Sequence, residues 1–240
     1  IYSTGGDIYD PATDTWQGGI STASAPTGRQ YASAAWTGTK LVIWGGSAGG
    51  TYYNTGAQYE LATDTWTATT ATNAPVARTN MGWVWTGTEL LVWPTAAEPL
   101  PQRHPRAFDP VTREWRVLAE SPIEPRTDAA AHWTGPEWIV WAGSRGSTAY
   151  ADGAAYNPVT DTWRVLAASP LSARRAPAVW TGSEMIVTGG SNGDPNSPNA
   201  LADGAAYDPL TDSWRTIAPG FGHPGFQPVW TGELVVLFAK

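Results

Sequence analysis

The sequence contains no cysteine. That excludes a disulfide framework, a thiolate metal site and a cysteine nucleophile. Lysine is nearly missing too, with only Lys40 and Lys240 among 14 basic residues. Charged residues make up 15% of the 240, and the formal net charge is −7. A weakly charged, acidic chain lacks the basic surface that nucleic acid requires, so nucleic acid is not expected as a partner. No apolar run approaches the ~18 residues of a spanning helix, and no membrane span is expected. The three histidines, His104, His132 and His223, stand in unlike positions without the close spacing of a metal motif. There is no Gly-x-Ser-x-Gly elbow and no phosphate-cradling glycine loop. No catalytic residue, metal or cofactor is therefore assigned.

What the chain has in excess is tryptophan, at 15 residues, with 26 glycines and 20 prolines. Large aromatics bury much area at little entropic cost, and the glycines and prolines imply many turns. The tryptophans fall in two interleaved series. The block Tyr9-Asp10-Pro11-Ala12-Thr13-Asp14-Thr15-Trp16 recurs at Tyr59–Trp66, Phe108–Trp115, Tyr156–Trp163 and Tyr207–Trp214. A second block, Trp-Thr-Gly before an apolar run, starts at Trp36, Trp85, Trp133, Trp180 and Trp230. Spacings of 47 to 51 residues in both series make this an internal repeat.

Each unit reads as four short strands. Strand A runs into Trp-Thr-Gly, and strand B is the apolar run after it, such as Leu41-Val42-Ile43-Trp44 or Trp138-Ile139-Val140-Trp141. Strand C carries the Tyr of the first block, and strand D begins at its Trp. Such β-branched and aromatic runs, bounded by glycine, are strand signals too short for helices. Four antiparallel strands per unit of ~50 residues describe a β-propeller blade.

With Gly45-Gly46 and Gly189-Gly190 after strand B, the Tyr-Asp-Pro-x-Thr-Asp-x-Trp block, and an Arg opening strand A at Arg29, Arg78, Arg126 and Arg174, the chain resembles the kelch family. Three units depart from its Gly-Gly, with Pro94-Thr95, Ala142-Gly143 and Phe238-Ala239 in that place. The expected fold is all-β: one five-bladed β-propeller over 1–240, four antiparallel strands per blade. The blades fall near 29–76, 77–124, 125–172 and 173–219. A composite blade from 220–240 plus 1–28 closes the ring, because the chain opens with a C and D strand and ends with an A and B.

Strand direction alternates, so the A–B and C–D turns share one face and the B–C loops and D–A crossings share the other. The first face repeats itself. The second carries long, dissimilar loops holding Tyr52, Tyr53, Arg103, His104, Arg106, Arg145 and Tyr150. Variable loops on a repeated frame are where recognition sits, so these residues are binding candidates. Arg29, Arg78, Arg126 and Arg174, with His223 in the composite blade, would circle the channel mouth. They read either as a pocket for a small anion or as a lock between strands. Arg175 lies outside the repeat and is a candidate for partner contact. The ten repeat tryptophans are expected in the core, while Trp83 and Trp138 break the pattern and are candidates for exposure.

The expected role is non-catalytic: a scaffold recognising a protein partner through the B–C and D–A loop face. The alternatives are a lectin-like, carbohydrate-binding propeller and an enzyme with one site at the channel mouth using His223, Arg126 or Asp128. The scarcity of lysine fits a GC-rich bacterial genome. The weak charge and the repeats fit a secreted or periplasmic protein.

Overall fold

The structure, a computed structural model, describes residues 4–79, 82–95, 104–175, 177–192, 200–220, 222 and 226–239. Every regular element among them is a strand, and no helix is long and apolar enough to cross a membrane. In chain order the strands are β1 (Asp7–Asp10), β2 (Thr15–Gly19), β3 (Ser33–Trp36), β4 (Lys40–Trp44), β5 (Ser47–Ala48), β6 (Thr51–Tyr52), β7 (Gly56–Glu60) and β8 (Thr65–Ala68). There follow β9 (Trp83–Trp85), β10 (Leu90–Val92), β11 (Arg106–Asp109), β12 (Glu114–Val117), β13 (Ala130–Trp133), β14 (Trp138–Trp141), β15 (Ser144–Arg145) and β16 (Thr148–Ala149). The last are β17 (Gly153–Asn157), β18 (Thr162–Val165), β19 (Ala178–Trp180), β20 (Met185–Thr188), β21 (Gly204–Asp208), β22 (Ser213–Ile217), β23 (Phe226–Trp230) and β24 (Val235–Ala239).

Four of the sheets have four antiparallel strands in A–B–C–D order: β3-β4-β7-β8, β9-β10-β11-β12, β13-β14-β17-β18 and β19-β20-β21-β22. The expected strands and their order are therefore present. β1-β2 and β23-β24 form separate two-stranded sheets, and β5-β6 and β15-β16 are small hairpins inside B–C loops. Register repeats with the sequence. Leu41 faces Tyr59, Trp138 faces Tyr156 and Met185 faces Tyr207, while Trp44, Trp141 and Thr188 face Gly56, Gly153 and Gly204. Those glycines are required by the neighbouring strand: a Cβ on any of them would come within 3.0 Å of the carbonyl oxygen of Ile43, Val140 or Val187.

The chain divides into two compact units. The first comprises Ile1–Met81, Trp85–Val92 and Arg106–Val117. Its core holds Ala57, Tyr59 and Trp66, and Trp44 meets Trp115 edge-on at 5.1 Å. The second comprises Gly82–Val84, Trp93–Pro105 and Leu118–Lys240. There Trp141 packs on Trp214 at 5.1 Å and Trp93 on Trp163 at 5.6 Å, and β19 lies between β13 and β23.

Burial separates the tryptophans differently from the sequence expectation. Trp44, Trp93, Trp138 and Trp141, on or just after strand B, are the fully buried ones, and Trp138 is not exposed at all. The Trp-Thr-Gly tryptophans are not core: Trp36 is 49% exposed, and Trp85, Trp133, Trp180 and Trp230 are partly exposed. They end an edge strand at a turn, where one side of the ring meets solvent, whereas the four buried tryptophans are covered on both faces.

In three units the C–D block fastens its sheet to the strand D before it. The hydroxyls of Tyr59, Tyr156 and Tyr207 donate to Asp64, Asp161 and Asp212 at 2.6 to 2.7 Å. These aspartates sit at φ 51, 51 and 47°, a left-handed turn position that Asp tolerates. The same carboxylates accept the N–H of Ser21, Ala119 and Ala167, at the end of the preceding strand D. Trp66, Trp163 and Trp214 then donate their indole N–H to the carbonyls of those same three residues at 2.7 to 3.0 Å. The Ser21 N–H, then the Tyr59 hydroxyl, hold the Asp64 carboxyl below the usual range.

Asp161→Ala removes the acceptor for two buried or half-buried donors and is expected to cost about 1–3 kcal/mol. Arg113→Ala, at the equivalent turn position without such bonds among the described residues, is expected to stay within about 0.5 kcal/mol. Urea unfolding of the two variants measures the contrast.

Candidate functional site

The strand-A arginines share one geometry. Arg29, Arg126 and Arg174 donate Nε–H to the carbonyl two residues earlier, of Thr27, Glu124 and Ser172, at 2.8 to 2.9 Å. Their Nη1 groups donate to the carbonyl just after strand B, of Gly45, Ala142 and Gly189, at 2.9 to 3.3 Å. A third acceptor comes from the residue before strand C. It is the carbonyl of Thr55 for Arg29, the carboxylate of Asp152 for Arg126 at 2.6 Å, and that of Asp203 for Arg174 at 2.8 Å. Arg78 keeps the first of these bonds, to Val76. The guanidinium group thus ties strands A, B and C together at one end of the sheet.

Burial completes the picture. The Arg126 and Arg174 side chains are 0% exposed, while Asp152 and Asp203 are 50% and 52% exposed. A desolvated guanidinium must have its donors engaged, and these are engaged by the protein's own oxygens. At Arg126 and Arg174 the guanidinium is thus a buried lock between strands, with its carboxylate partner on the outside.

Above the lock lie the loop aromatics. Tyr53 stacks on Arg29 at 4.5 Å and Tyr150 on Arg126 at 4.0 Å. Backbone bonds then bind each loop to the next strand-A arginine. Gly46 N–H donates to Arg78 O and Gly143 N–H to Arg174 O, while Arg78 N–H and Arg174 N–H donate to the carbonyls of Tyr53 and Tyr150. Gly143 has φ 95°, and a Cβ there would lie within 3.0 Å of the Thr127 carbonyl, so only glycine fits.

The remaining candidates are distributed as follows. In the first unit Tyr52, on β6, is 59% exposed beside Tyr53, and Arg106 is buried with Nε donating to Asn73 O. In the second unit Arg145, on β15, pairs with Glu124 at 2.9 Å. Arg175 donates to Ser144 Oγ at 2.6 Å and to Gly146 O, and lies 3.6 Å from Asp128. His104 is partly buried. Arg103 and His223 lie outside the described residues. The structure thus gathers Arg29, Tyr52, Tyr53 and Arg78 at one loop cluster and Arg126, Arg145, Tyr150, Arg174 and Arg175 at another.

Asp152 and Asp203 were not marked by the sequence reading, although a signal exists. Asp152-Gly153-Ala154-Ala155-Tyr156 and Asp203-Gly204-Ala205-Ala206-Tyr207 are the same pentapeptide in two units. Among the described residues no cluster of His, Asp and Glu could hold a metal ion. His132, on β13, is pushed down to about 4 by burial, against a bond to the Ala178 backbone, and is neutral at neutral pH.

The segment 173–220 matches the Kelch motif model. Those residues carry a Kelch motif. Within that segment stand Arg174, Gly189-Gly190, Tyr207 and Trp214, the residues whose bonds are described above. No curated protein matches the chain.

Arg174→Ala leaves the Asp203 carboxylate and two carbonyls without their donor and is expected to destabilise the chain by about 3–5 kcal/mol. Arg174→Lys does not restore it, because one ammonium cannot span the three acceptors. Arg175→Ala, at a partly exposed group outside the repeat, is expected to cost less than Arg174→Ala, under about 1 kcal/mol. Thermal melts of the three variants test this.

The hydrogen bond from Arg174 also holds the Asp203 carboxyl below its ordinary value. Its folded pKa lies under its unfolded one, so the stabilisation is present above about pH 4 and is lost as pH falls through the folded value. The stability difference between the native chain and Asp203→Asn is expected to be largest above pH 4 and to shrink below it. Melts from pH 2 to 7 report that difference.

Proposed function

We propose that the chain is a single five-bladed propeller, with a composite blade completing the ring, that acts as a non-catalytic scaffold. Its B–C and D–A loop face takes a protein partner. The observation that carries this reading is the division of labour at the loops. Arg78, Arg126 and Arg174 are buried in the frame, and the side chains left outside differ from loop to loop: Tyr52 in one, Arg145 and the half-exposed Asp128 and Asp152 in another. A rigid frame with dissimilar exposed loops suits one specific surface better than several equal small pockets. Kelch motifs commonly mediate protein–protein interaction, which supports the same reading.

Two of the three residues considered for an enzyme site already have partners within the protein. Arg126 is engaged by Asp152 and two carbonyls, and Asp128 by Thr127 and Arg175. The face offers aromatic rings, exposed carboxylates and a few half-exposed guanidiniums, the mixture of a polar protein interface.

The test is a partner capture from the source organism with purified chain, compared across two variants of equal thermal stability. Tyr52→Ala with Arg145→Ala, on the loop face, is expected to weaken capture more than tenfold. Val159→Glu with Leu210→Glu, on the C–D turns, is expected to leave it unchanged. The opposite pattern places recognition on the turn face and overturns the proposal.

A further inference from the structure

Three of the complete sheets carry the same ion pair between strands B and D. Arg116 meets Glu89, Arg164 meets Glu137 and Arg215 meets Glu184, each through two bonds of 2.6 to 3.0 Å. The sheet β3-β4-β7-β8 lacks this pair. Thr67 stands in the Arg place and Lys40 in the Glu place. The Lys40 ammonium faces Glu60 on β7 instead, at 3.6 Å. In the second unit Arg164 also reaches the Tyr207 hydroxyl and Asp212 of the following sheet at 3.1 Å. The sheet that follows Thr67 has Phe108 and Arg113 at those two positions, so that bridge has neither its donor nor its acceptors. A cleft of 630 Å³ occupies this seam, within the first unit, between the A–B turns at 37–40 and 85–89 and the C–D turn at 109–111.

The groups at this seam are polar and not spent on the fold. In the other four units the Thr of Trp-Thr-Gly donates its hydroxyl to the carbonyl three residues on: Thr86 to Glu89, Thr134 to Glu137, Thr181 to Glu184 and Thr231 to Leu234, at 2.9 to 3.2 Å. The Thr37 oxygen accepts the N–H of Thr39 and Lys40, and its own proton is left to donate. Thr39 is exposed beside it. Gln58 lies between Val42 and Thr67 in register, on the sheet face that Lys40 shares. The other complete sheets have Ala107, Ala155 and Ala206 there. Gln58 is 2% exposed, and neither atom of its amide has a partner in the protein. Buried amides are rarely left in that state, so this seam calls for a hydrogen-bonding guest.

We propose that this cleft binds the ring of one neutral pyranose sugar. A pyranose presents C–H groups on its ring face and hydroxyls, each a donor and an acceptor, around its edge. The partly exposed Trp85 ring and the 85% exposed Val111, both lining the cleft, supply the apolar contact. Thr37 and Thr39 supply hydroxyls, and Lys40 has ammonium protons beyond the one that faces Glu60. The charges at the cleft are already engaged. Glu89 is held by Arg116, and Asp109 accepts the N–H of Val111 and Thr112 at 2.7 and 3.4 Å. An uncharged, hydroxyl-rich ligand therefore fits better than a phosphate or a peptide carboxylate. The volume lies in the ~300–1,000 Å³ range of small-molecule sites. The cleft is at the turn end of the strands and does not depend on the loop-face reading. Because it opens where the Arg–Glu pair is missing, it is a single site and not one pocket per blade.

The test is titration of the purified chain with the methyl glycosides of glucose, galactose, mannose and N-acetylglucosamine, read by saturation-transfer NMR and calorimetry. At least one is expected to saturate a single site per chain with a Kd near or below about 1 mM. Lys40→Glu with Thr67→Arg builds the strand B–D pair of the other sheets at the cleft. It is expected to weaken binding about tenfold or more while the thermal midpoint is kept or raised. Thr39→Val, at an exposed turn position, is a milder change that spares the fold and is expected to weaken binding about threefold or more. Tyr52→Ala with Arg145→Ala, on the loop face, is expected to leave sugar binding unchanged. The proposal is overturned if no glycoside saturates below about 10 mM, or if binding is unchanged in both cleft variants. Several equal sites per chain overturn it too, in favour of a lectin-like pocket in each blade. Sugar titration and partner capture read different faces, so failure of either leaves the other standing.

Discussion

The bond that the rest of this architecture depends on is the double fastening of three C–D hairpins, at Asp64, Asp161 and Asp212, to the end of the preceding strand D. One residue, Ala167, gives its N–H to Asp212 and its carbonyl to the Trp214 indole. A backbone group at the end of a strand has no further sheet partner, and burying it unpaired costs about as much as a lost hydrogen bond. The Asp and Trp satisfy both groups of one residue at once. Because the same Trp also covers the preceding sheet's strand B, as Trp214 covers Trp141, polar satisfaction and apolar burial are achieved by one side chain. That coupling explains why the block is copied so closely while the loops are not.

The arginine lock does at the loop end of the sheet what the Asp–Trp pair does at the hairpin. Its consequence is functional. A guanidinium that is 0% exposed and bonded to carbonyls and a carboxylate cannot exchange those partners for a ligand without leaving buried acceptors unpaired. On the scaffold reading proposed above, specificity then belongs to side chains that the repeat does not dictate. Rigidity at the loop base lowers the ordering entropy a binding loop must lose, which favours a scaffold over a site that closes around a small molecule.

Much of this was legible in the sequence, because repeat position fixes local geometry. The strands, their order, the turn chemistry and the cross-strand register all follow from the period and from glycine placement, as at Gly153. Exposure was not legible in the same way. Trp16 and Trp66 occupy one repeat position, yet one is 69% and the other 7% exposed, because burial depends on the neighbouring sheet rather than on the residue's own unit. The exposure of Trp138, left open by the sequence, was settled in the same way: it lies on β14, which is buried at all four positions. Asp152 and Asp203 were overlooked because an aspartate before a glycine reads as turn chemistry until the guanidinium beside it is seen.

The second complete sheet shows how tightly the fastening is coupled. It has Phe108 where the others have Tyr and Arg113 where they have Asp, so the hydroxyl and its acceptor are both gone. Phe108 is nevertheless 0% exposed, Trp115 remains buried, and Arg113 keeps the left-handed turn at φ 64°. Losing one partner alone would strand the other beside a buried ring, at the desolvation cost of an unpaired polar group. Losing both leaves an apolar contact of the same shape, which is close to neutral. A bidentate pair from Arg116 to Glu89 at 2.8 Å ties strands D and B in the same sheet, as Arg164 and Glu137 do where the Tyr–Asp pair is kept. The lateral pair is thus common to both kinds of sheet, and the Tyr–Asp bond behaves as a removable unit: present whole or absent whole.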